Sequence, residues 1–560
     1  MDIEKQFERW TARADSSLQP ELNAMAGDPD KKRDAFYRTL EFGTGGLRGV
    51  IGAGTNRMNI HVVAHASQGL ADYVNAHFTG KMRSVAVSYD SRNLSDVFAR
   101  IASSVFAANG LQVYLYPELM PTPCLSYAVR AYGAGAGVMV TASHNPARYN
   151  GYKVYGPDGC QITTQAAGDI LAAIDALDMF DDVKAADFDS CVRDGRISYI
   201  GDDVVSAFIG EIMGLTMLSP DTPVDRNVSI VYTPLNGTGL KPVTRVLRES
   251  GFTSITVVPE QEKPDGDFPT CPYPNPEIRE AMELGIRLAR KKEADLLIAT
   301  DPDCDRCGIA VRGEGDDYVL LTGNETGMLL FDYILTRREA MGKMPKAPTL
   351  VKTIVTTDMA DRIAQKHGVR VVDVLTGFKF IGEVIGRLES EGHKDDYIFG
   401  FEESYGYLSG THVRDKDAVN AAFLIAEMFA YHRARGVSLL DRLNELYAEF
   451  GYQLNTLHSF TFEGQTGFEK MQDIMAKIRR TGDDLAGYPV SLMQDYKNGL
   501  DGLPKSDVLR FRLKNGAGLV IRPSGTEPKL KIYLSVVAKD RQEAEKEEQR
   551  LIAAVESLLD

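Results

Sequence analysis

The chain has 560 residues, 44% of them hydrophobic and 25% charged, with a formal net charge of −15. That length exceeds what one hydrophobic core sustains and implies three to five domains at the usual ~100–200 residues each. The composition is that of a soluble globular protein, and the acidic balance excludes nucleic acid or an anionic membrane surface as the main partner.

The opening segment, Met1 to Trp10, is charged and amphipathic, with no apolar core of the signal-peptide kind. No uninterrupted apolar run is long enough to span a bilayer. The six cysteines, Cys124, Cys160, Cys191, Cys271, Cys304 and Cys307, are scattered, which fits a reducing compartment. The expected location is therefore cytoplasmic.

Glu41 to Gly49 is glycine-rich but lacks the Gly-Lys-Ser/Thr ending of a Walker loop. The first repeated unit follows. Ser84 to Tyr89 reads as a strand, Asp90 to Asn93 as a turn, then a helix to Asn109, Gly110 as a left-handed cap, and Leu111 to Leu115 as a second strand. Gly137 to Val140 is another apolar strand, and Thr141-Ala142-Ser143-His144-Asn145-Pro146 turns directly after it. A hydroxyl there lies at the carboxyl edge of a sheet, where open α/β folds place their chemistry. Gly133, Gly135 and Gly137 precede their strand, so a dinucleotide fingerprint is rejected.

The unit recurs at Val228 to Val258, with Gly251 as cap, and at Leu350 to Val372, with Gly368 as cap. Each copy is followed by a further strand and a polar turn. Leu296 to Ala299 leads to Asp301-Pro302-Asp303-Cys304-Asp305-Arg306, and Tyr397 to Phe399 leads to Gly400-Phe401-Glu402-Glu403-Ser404. At alternate positions of an extended segment, Asp301, Asp303 and Asp305 point the same way, and a hard divalent cation relieves their repulsion. Mg²⁺ suits a site that leaves one position open. An EF-hand fails, because Arg306 and Arg312 stand where that loop needs Gly and Glu. Cys304 and Cys307 form a lone C-x-x-C and read as packing.

After about Gly451 the pattern changes to separated strands and a terminal helix from about Arg541 to Leu559. The segment Arg522-Pro523-Ser524-Gly525-Thr526 offers a guanidinium, two hydroxyls and turn amides, the equipment of a phosphate cradle, with Lys529 and Lys531 adding charge. The fold class is thus α/β with four domains, three similar sheet domains and a smaller α+β one around a central cleft. The boundaries expected are 1–205, 206–325, 326–450 and 451–560.

The serine turn, the Asp cluster, the Glu402–Ser404 loop and the Arg522 loop, in that order, resemble the α-D-phosphohexomutase family, the phosphoglucomutases and phosphomannomutases, along nearly the whole chain. The resemblance implies a phosphoserine at Ser143, which would complete the metal site of Asp301, Asp303 and Asp305. It implies that Arg48, His144 and Lys153 orient the phosphoserine and move protons. Arg306, Thr376, Gly377, Lys379, Glu402, Ser404, Arg522, Ser524, Gly525 and Thr526 are then the substrate-binding residues. Glu403-Ser404-Tyr405-Gly406 is nearer the Glu-Ser-Phe-Gly of phosphoglucomutases than the Met-Ser-Gly-His of phosphomannomutases. The implied reaction interconverts glucose 1-phosphate and glucose 6-phosphate through glucose 1,6-bisphosphate, as intermediate and activator, with Mg²⁺ as cofactor. Small sugar phosphates are the expected partners, and both a monomer and a dimer accord with the sequence.

Within the family, a phosphopentomutase, a phosphomannomutase or a sugar-bisphosphate synthase is the alternative. A serine hydrolase fails because Ser143 lacks a Gly-x-Ser-x-Gly elbow and an extended segment turns His144 away from it. A non-catalytic sugar-phosphate sensor has no need of both Ser143 and the aspartates.

Overall fold

Gly110, Gly251 and Gly368 close the helices Ser95–Ala108, Leu240–Glu249 and Met359–Lys366, with φ of 75°, 90° and 65°. Glycine enters that left-handed region without a Cβ penalty, so each helix stops where the sequence expects. The flanking strands pair in parallel: Ser84–Tyr89 with Gln112–Leu115, Ile230–Thr233 with Ile255–Val257, and Thr349–Thr353 with Arg370–Val374. The computed structural model describes every residue except Met1, Thr44, Thr163, Asp316, Glu463, 525–528 and Asp560, together with the backbone alone of Gly464 and Gln465.

On the other side of each first strand runs a third parallel one: Ala136–Val140, Leu296–Thr300 and Tyr397–Glu402. All three are buried along their whole length. Each then reverses into an antiparallel neighbour, Tyr149–Tyr155, Cys307–Arg312 and Gly406–Leu408 respectively. The three reversals are the three polar turns singled out in the sequence. Equivalent positions in three sheets therefore present the serine, the aspartates and the Glu402 loop.

The first sheet is completed to six strands, the second to five, and the third has four. Helices Leu240–Glu249 and Ala418–Arg433 pack together, so the second and third units share one continuous core. The fourth sheet has six strands, antiparallel at every pairing. Helix Arg541–Glu556 lies on it, and Met475, Ile478, Leu551 and Val555 fill a separate core. Ile354, Val355 and Leu375 of the third unit pack against Tyr496, Val520 and Tyr533 of the fourth. Among the described residues no helix is long and apolar enough to cross a membrane.

Candidate active site

Ser143 has φ 52°, a left-handed conformation that costs a non-glycine residue energy and persists only when its surroundings fix it. Thr141 supplies part of that fixation: its Oγ1 accepts from the Ser143 amide at 2.8 Å and donates to Asp90 at 2.6 Å. Arg92, fully buried and paired with Asp90 at 3.4 Å, supplies the rest. Its guanidinium donates to the carbonyls of Pro146 and Tyr149, each at 3.0 Å, and to those of Ser143 and Asn145. Arg48 reaches the same loop from the strand Gly46–Val50 and donates to Asn145 Oδ1 at 3.3 Å.

The turn also corrects the expectation for His144. Because Ser143 is left-handed rather than extended, His144 does not point away: its Nδ1 lies 3.3 Å from Ser143 Oγ. Burial and the nearby Arg306 and Arg48 guanidiniums push the imidazole well below its ordinary range, so it is neutral at physiological pH.

The three aspartates converge, though by a different geometry from the one expected. They do not alternate along an extended strand. Cys304 adopts φ 51° and its amide donates to the Asp301 carbonyl at 2.9 Å, so the segment is a tight turn. The amides of Asp305 and Arg306 donate to Asp301 Oδ1 at 3.1 and 3.0 Å. One oxygen from each buried carboxylate lies within 4.8 Å of the others. Among the described residues no other group of three His, Cys, Asp or Glu side chains meets this closely.

Two lysines and a threonine brace the cluster. Lys153 Nζ is 2.8 Å from Asp303 Oδ2 and 3.5 Å from Asp305 Oδ2, and Lys416 Nζ is 2.9 Å from Asp305 Oδ2. Thr122 Oγ1 donates to Asp303 Oδ2 at 2.9 Å. Burial and the neighbouring Asp305 and Asp303 raise Asp301 well above the carboxylate range. Burial also disfavours charge on Asp303, but Lys153 and Lys416 outweigh it and hold that carboxyl well below the range. Asp303 Oδ1 and Asp305 Oδ1 are buried with no hydrogen-bond partner. Buried anionic oxygens without donors are costly, and a hard cation with oxygen ligands satisfies them. The donor set therefore fits a divalent cation.

Glu402, at the end of its strand and 5% exposed, accepts from the Gly377 amide at 2.8 Å. Gly377 has φ 123° and opens the helix Phe378–Ser390, so the Glu402 and Thr376–Lys379 loops are tied together. Thr376 Oγ1 is buried without a partner. Lys379, in the first helical turn, is lowered by burial despite the nearby Glu383, and its ammonium lies 5.1 Å from the Phe380 ring centre. Half-buried Ser404 occupies the turn before Gly406–Leu408. That turn is clamped: a Cβ on Gly323 would meet the Glu403 carbonyl at 2.0 Å, and the Cys307 amide donates to the Tyr405 carbonyl at 3.0 Å. Glu403 is raised to about 7 by burial and by Glu402. Arg306 pairs with Glu277 at 2.5 Å, while its buried Nε has no partner.

In the fourth unit, Arg522 is the penultimate residue of the strand Gly518–Pro523, opposite Lys531, and the Ser524 amide donates to the Lys529 carbonyl at 2.8 Å. Arg522 is among the charges that act on Glu403, drawing its carboxyl down against burial and Glu402. Gly525 and Thr526 lie outside the described residues.

Arg92, Thr122, Glu277 and Lys416 were not singled out from the sequence. Only Lys416 had a local signal, the charged run Arg414-Asp415-Lys416-Asp417, and such runs are usually solvated. His412 in the same segment bonds Asp417 at 3.0 Å, and Asp417 caps the helix Ala418–Arg433.

The chain matches all four descriptions of the phosphoglucomutase/phosphomannomutase family: alpha/beta/alpha domain I over residues 39–180, domain II over 211–315, domain III over 322–450 and the C-terminal domain over 463–554. It is 36% identical over 544 residues to a phosphoglucomutase of Staphylococcus aureus, covering 94% of this chain and 95% of that one. To a phosphoglucomutase of Staphylococcus saprophyticus it is 34% identical over 519 residues, covering 90% and 92%. Among solved structures, parafusin (phosphoglucomutase) from Paramecium in an open form superposes with a TM-score of 0.69 at 17% identity, covering 93% of this chain and 95% of that one. A phosphoglucomutase/phosphomannomutase family protein from Burkholderia thailandensis gives 0.67 at 18%, covering 92% and 97%. These two likenesses establish the four-domain fold.

Proposed function

The chain belongs to the phosphoglucomutase/phosphomannomutase family and is a phosphosugar mutase, and from that premise we propose that it interconverts glucose 1-phosphate and glucose 6-phosphate. The observation that carries the mechanism is the hydrogen bond from Ser143 Oγ to Asp301 Oδ2, at 3.0 Å. It joins a nucleophile to a carboxylate cluster fitted for a cation. In this reading residues 1–205 carry the phosphoserine loop, 206–325 the metal loop, 326–450 the sugar loops and 451–560 the phosphate cradle. The protein works in the cytoplasm.

Asp301, Asp303 and Asp305, with an oxygen of phosphorylated Ser143, would hold a divalent cation, Mg²⁺ by its preference for oxygen donors and open positions. Bound there, it supplies neutralisation of charge on the phosphoryl group in transfer. Arg48, which bonds Asn145 of the serine loop, and Lys153, which bonds Asp303, lie on paired strands and orient the phosphoserine. Arg306, whose Nε has no hydrogen-bond partner, together with Arg522 and Ser524 grips the phosphate that is not reacting. Glu402 and Ser404 take ring hydroxyls, and Thr376, Gly377 and Lys379 line the same side.

The chemistry is two phosphoryl transfers. In the first, a free sugar hydroxyl attacks the phosphorus on Ser143; the new O–P bond forms as the Ser143 Oγ–P bond breaks, and the product is glucose 1,6-bisphosphate. The hydroxyl proton passes by way of neutral His144, 3.3 Å from Ser143 Oγ, to the departing serine oxygen. After the bisphosphate turns over, the transfer runs in reverse: Ser143 Oγ attacks the other phosphate, that sugar O–P bond breaks, and the serine proton passes by way of His144 to the freed sugar oxygen. Catalysis is mostly positioning and charge stabilisation. Incubation of protein with radiolabelled glucose 1,6-bisphosphate should place label on Ser143 and then on glucose 6-phosphate when glucose 1-phosphate is added. Label that never leaves the bisphosphate would overturn this reading.

A further inference from the structure

Lys352, on the strand Thr349–Thr353, is fully buried with its ammonium among three carboxylates, 2.9 Å from Asp373, 3.1 Å from Asp361 and 3.8 Å from Asp358. Three negative groups around one positive group leave the third domain with an acidic socket. The fourth domain fills it. Arg510, on the strand Leu509–Leu513 and 7% exposed, donates to Asp373 Oδ2 at 2.7 Å and to Asp358 Oδ1 at 3.1 Å. Arg512 adds a weaker approach to Asp358 at 3.5 Å. A guanidinium forked between two carboxylates on separate elements fixes direction as well as distance, which an ammonium does not. Apolar contact alone, through Ile354, Val355 and Tyr533, is non-directional.

What surrounds the joint gives it a task. Asp373 lies on the strand Arg370–Val374, which runs straight into Thr376 and Gly377, and the Gly377 amide holds Glu402. Lys352 adjoins Thr353, whose hydroxyl, with that of Thr356, lies 3.3 and 3.5 Å from Glu403. On the other side, Arg510 pairs with Val520 across the ladder, and Val520 shares a strand face with Arg522 two residues on. The two sugar loops and the phosphate cradle thus meet through this one cluster.

We infer that Arg510 is a positioning residue for the mutase reaction: through Asp373 and Asp358 it fixes the spacing between the sugar loops and the phosphate cradle, so that one sugar phosphate engages both. This rests on the assignment of Arg522 to the non-reacting phosphate. A substrate gripped at two points benefits from the effective concentration of the second grip only while the two are held at matching distance. Loosening the joint therefore leaves each grip intact and uncouples them.

The test compares Arg510→Ala and Arg510→Lys with the wild type, using glucose 1-phosphate turnover and competitive inhibition by two half-ligands, inorganic sulfate and methyl α-D-glucoside. In Arg510→Ala, KM for glucose 1-phosphate should rise by about tenfold or more, since effective concentrations carry factors of at least that size. kcat should fall less, and inhibition by sulfate and by the glucoside should stay within about twofold of wild type, because neither half-ligand spans the joint. Arg510→Lys should fall between, since an ammonium lacks the rigid fork. If Arg510→Ala does not fold, Arg510→Lys and Asp373→Asn are judged on the same criteria. A folded variant with unchanged KM overturns the inference, as does equal weakening of substrate, sulfate and glucoside, which is the mark of general damage. Sulfate that fails to compete, or competes equally in Arg522→Ala, overturns the cradle assignment and the inference with it. A cradle that holds while the Arg510 variants behave as wild type overturns the inference alone.

Discussion

Ser143 Oγ donates a hydrogen bond to Asp301 Oδ2 at 3.0 Å although the two residues are 158 positions apart. Phosphorylation of that oxygen brings up to two negative charges against three buried carboxylates. A pair of like charges about 4 Å apart repels by about 4 kcal/mol at an effective dielectric constant of about 20, so the proposed phosphoserine is expected to depend on a bound cation. Protein isolated with Mg²⁺ should carry phosphate on Ser143, read by intact mass and phosphopeptide mapping. Ser143→Ala should lose turnover by at least about a thousandfold, the scale on which removal of an essential nucleophile acts. Phosphate found only elsewhere would sink the covalent route.

The cluster is braced as well as repulsive, and this changes what a ligand deletion does. Asp303→Ala removes a carboxylate but also strips Lys153 and Thr122 of their shared acceptor. Lys153 is then left with only its 3.5 Å approach to Asp305; complete loss of a buried charge's partner costs about 3–5 kcal/mol, so this variant should lose activity together with part of that stability, seen as a lower melting temperature. Asp303→Asn keeps one acceptor oxygen and should lose activity with a smaller drop in Tm. Paired melting and Mg²⁺-activation curves check both, and full activity in excess chelator would remove the metal from the mechanism.

The fold was legible wherever its cause is local. Gly110, Gly251 and Gly368 announce their helix ends because only glycine takes those φ values cheaply, and apolar strands before polar turns announce the three loops. The aspartates converge as expected, but through a left-handed Cys304 that no spacing rule reveals. His144 was placed on the wrong side for the same reason, since one left-handed residue at Ser143 redirects the next side chain. Arg92 and Thr122 were illegible because their partners are distant in the chain: Thr122 meets Asp303 across 181 residues. Nothing near either residue marks it as more than a turn or a helix start.

Glu403 gives a pH dependence whose sign follows from burial. Its carboxyl is raised from 4.5 to about 7, chiefly by burial and then by Glu402. Glu277 adds negative charge, Arg522 opposes it, and Thr353 and Thr356 face it from the adjoining strand end. A raised carboxyl favours the folded state below its unfolded value and loses that contribution as pH climbs through the folded value. At about 1.4 kcal/mol per pH unit, the loss between pH 4.5 and 7 is at most about 3.5 kcal/mol. Glu403→Gln should therefore be more stable than wild type at pH 8 and about equal to it at pH 5. Denaturant midpoints at the two pH values measure this, and parallel pH profiles for the two proteins would show that Glu403 is not the group responsible.

The last prediction concerns the sugar. Glu402 is buried with one oxygen on the Gly377 amide, so its other oxygen and the Ser404 hydroxyl are what remain for ring hydroxyls. Burial raises the Glu402 carboxyl, against Lys416, the Gly377 amide and Arg306, so a hydrogen-bonding partner arriving in the cleft relieves a real desolvation cost. A site built for such a partner penalises substrates that leave it unpaired, by factors of up to ~10⁴ where no substitute is available. Ribose 1-phosphate has a smaller ring and does not present the same pair of hydroxyls while its phosphate reaches Arg522. We expect kcat/KM for glucose 1-phosphate to exceed that for ribose 1-phosphate by at least about a hundredfold, which corresponds to about 2.7 kcal/mol. Mannose 1-phosphate differs at a single hydroxyl and should fall between. In Glu402→Gln, which keeps an acceptor for Gly377, the glucose-to-ribose ratio should shrink because glucose suffers more. The three sugars measured under identical activation by glucose 1,6-bisphosphate decide the order. Ribose 1-phosphate in first place would transfer the same serine, metal and phosphate machinery to a pentose substrate.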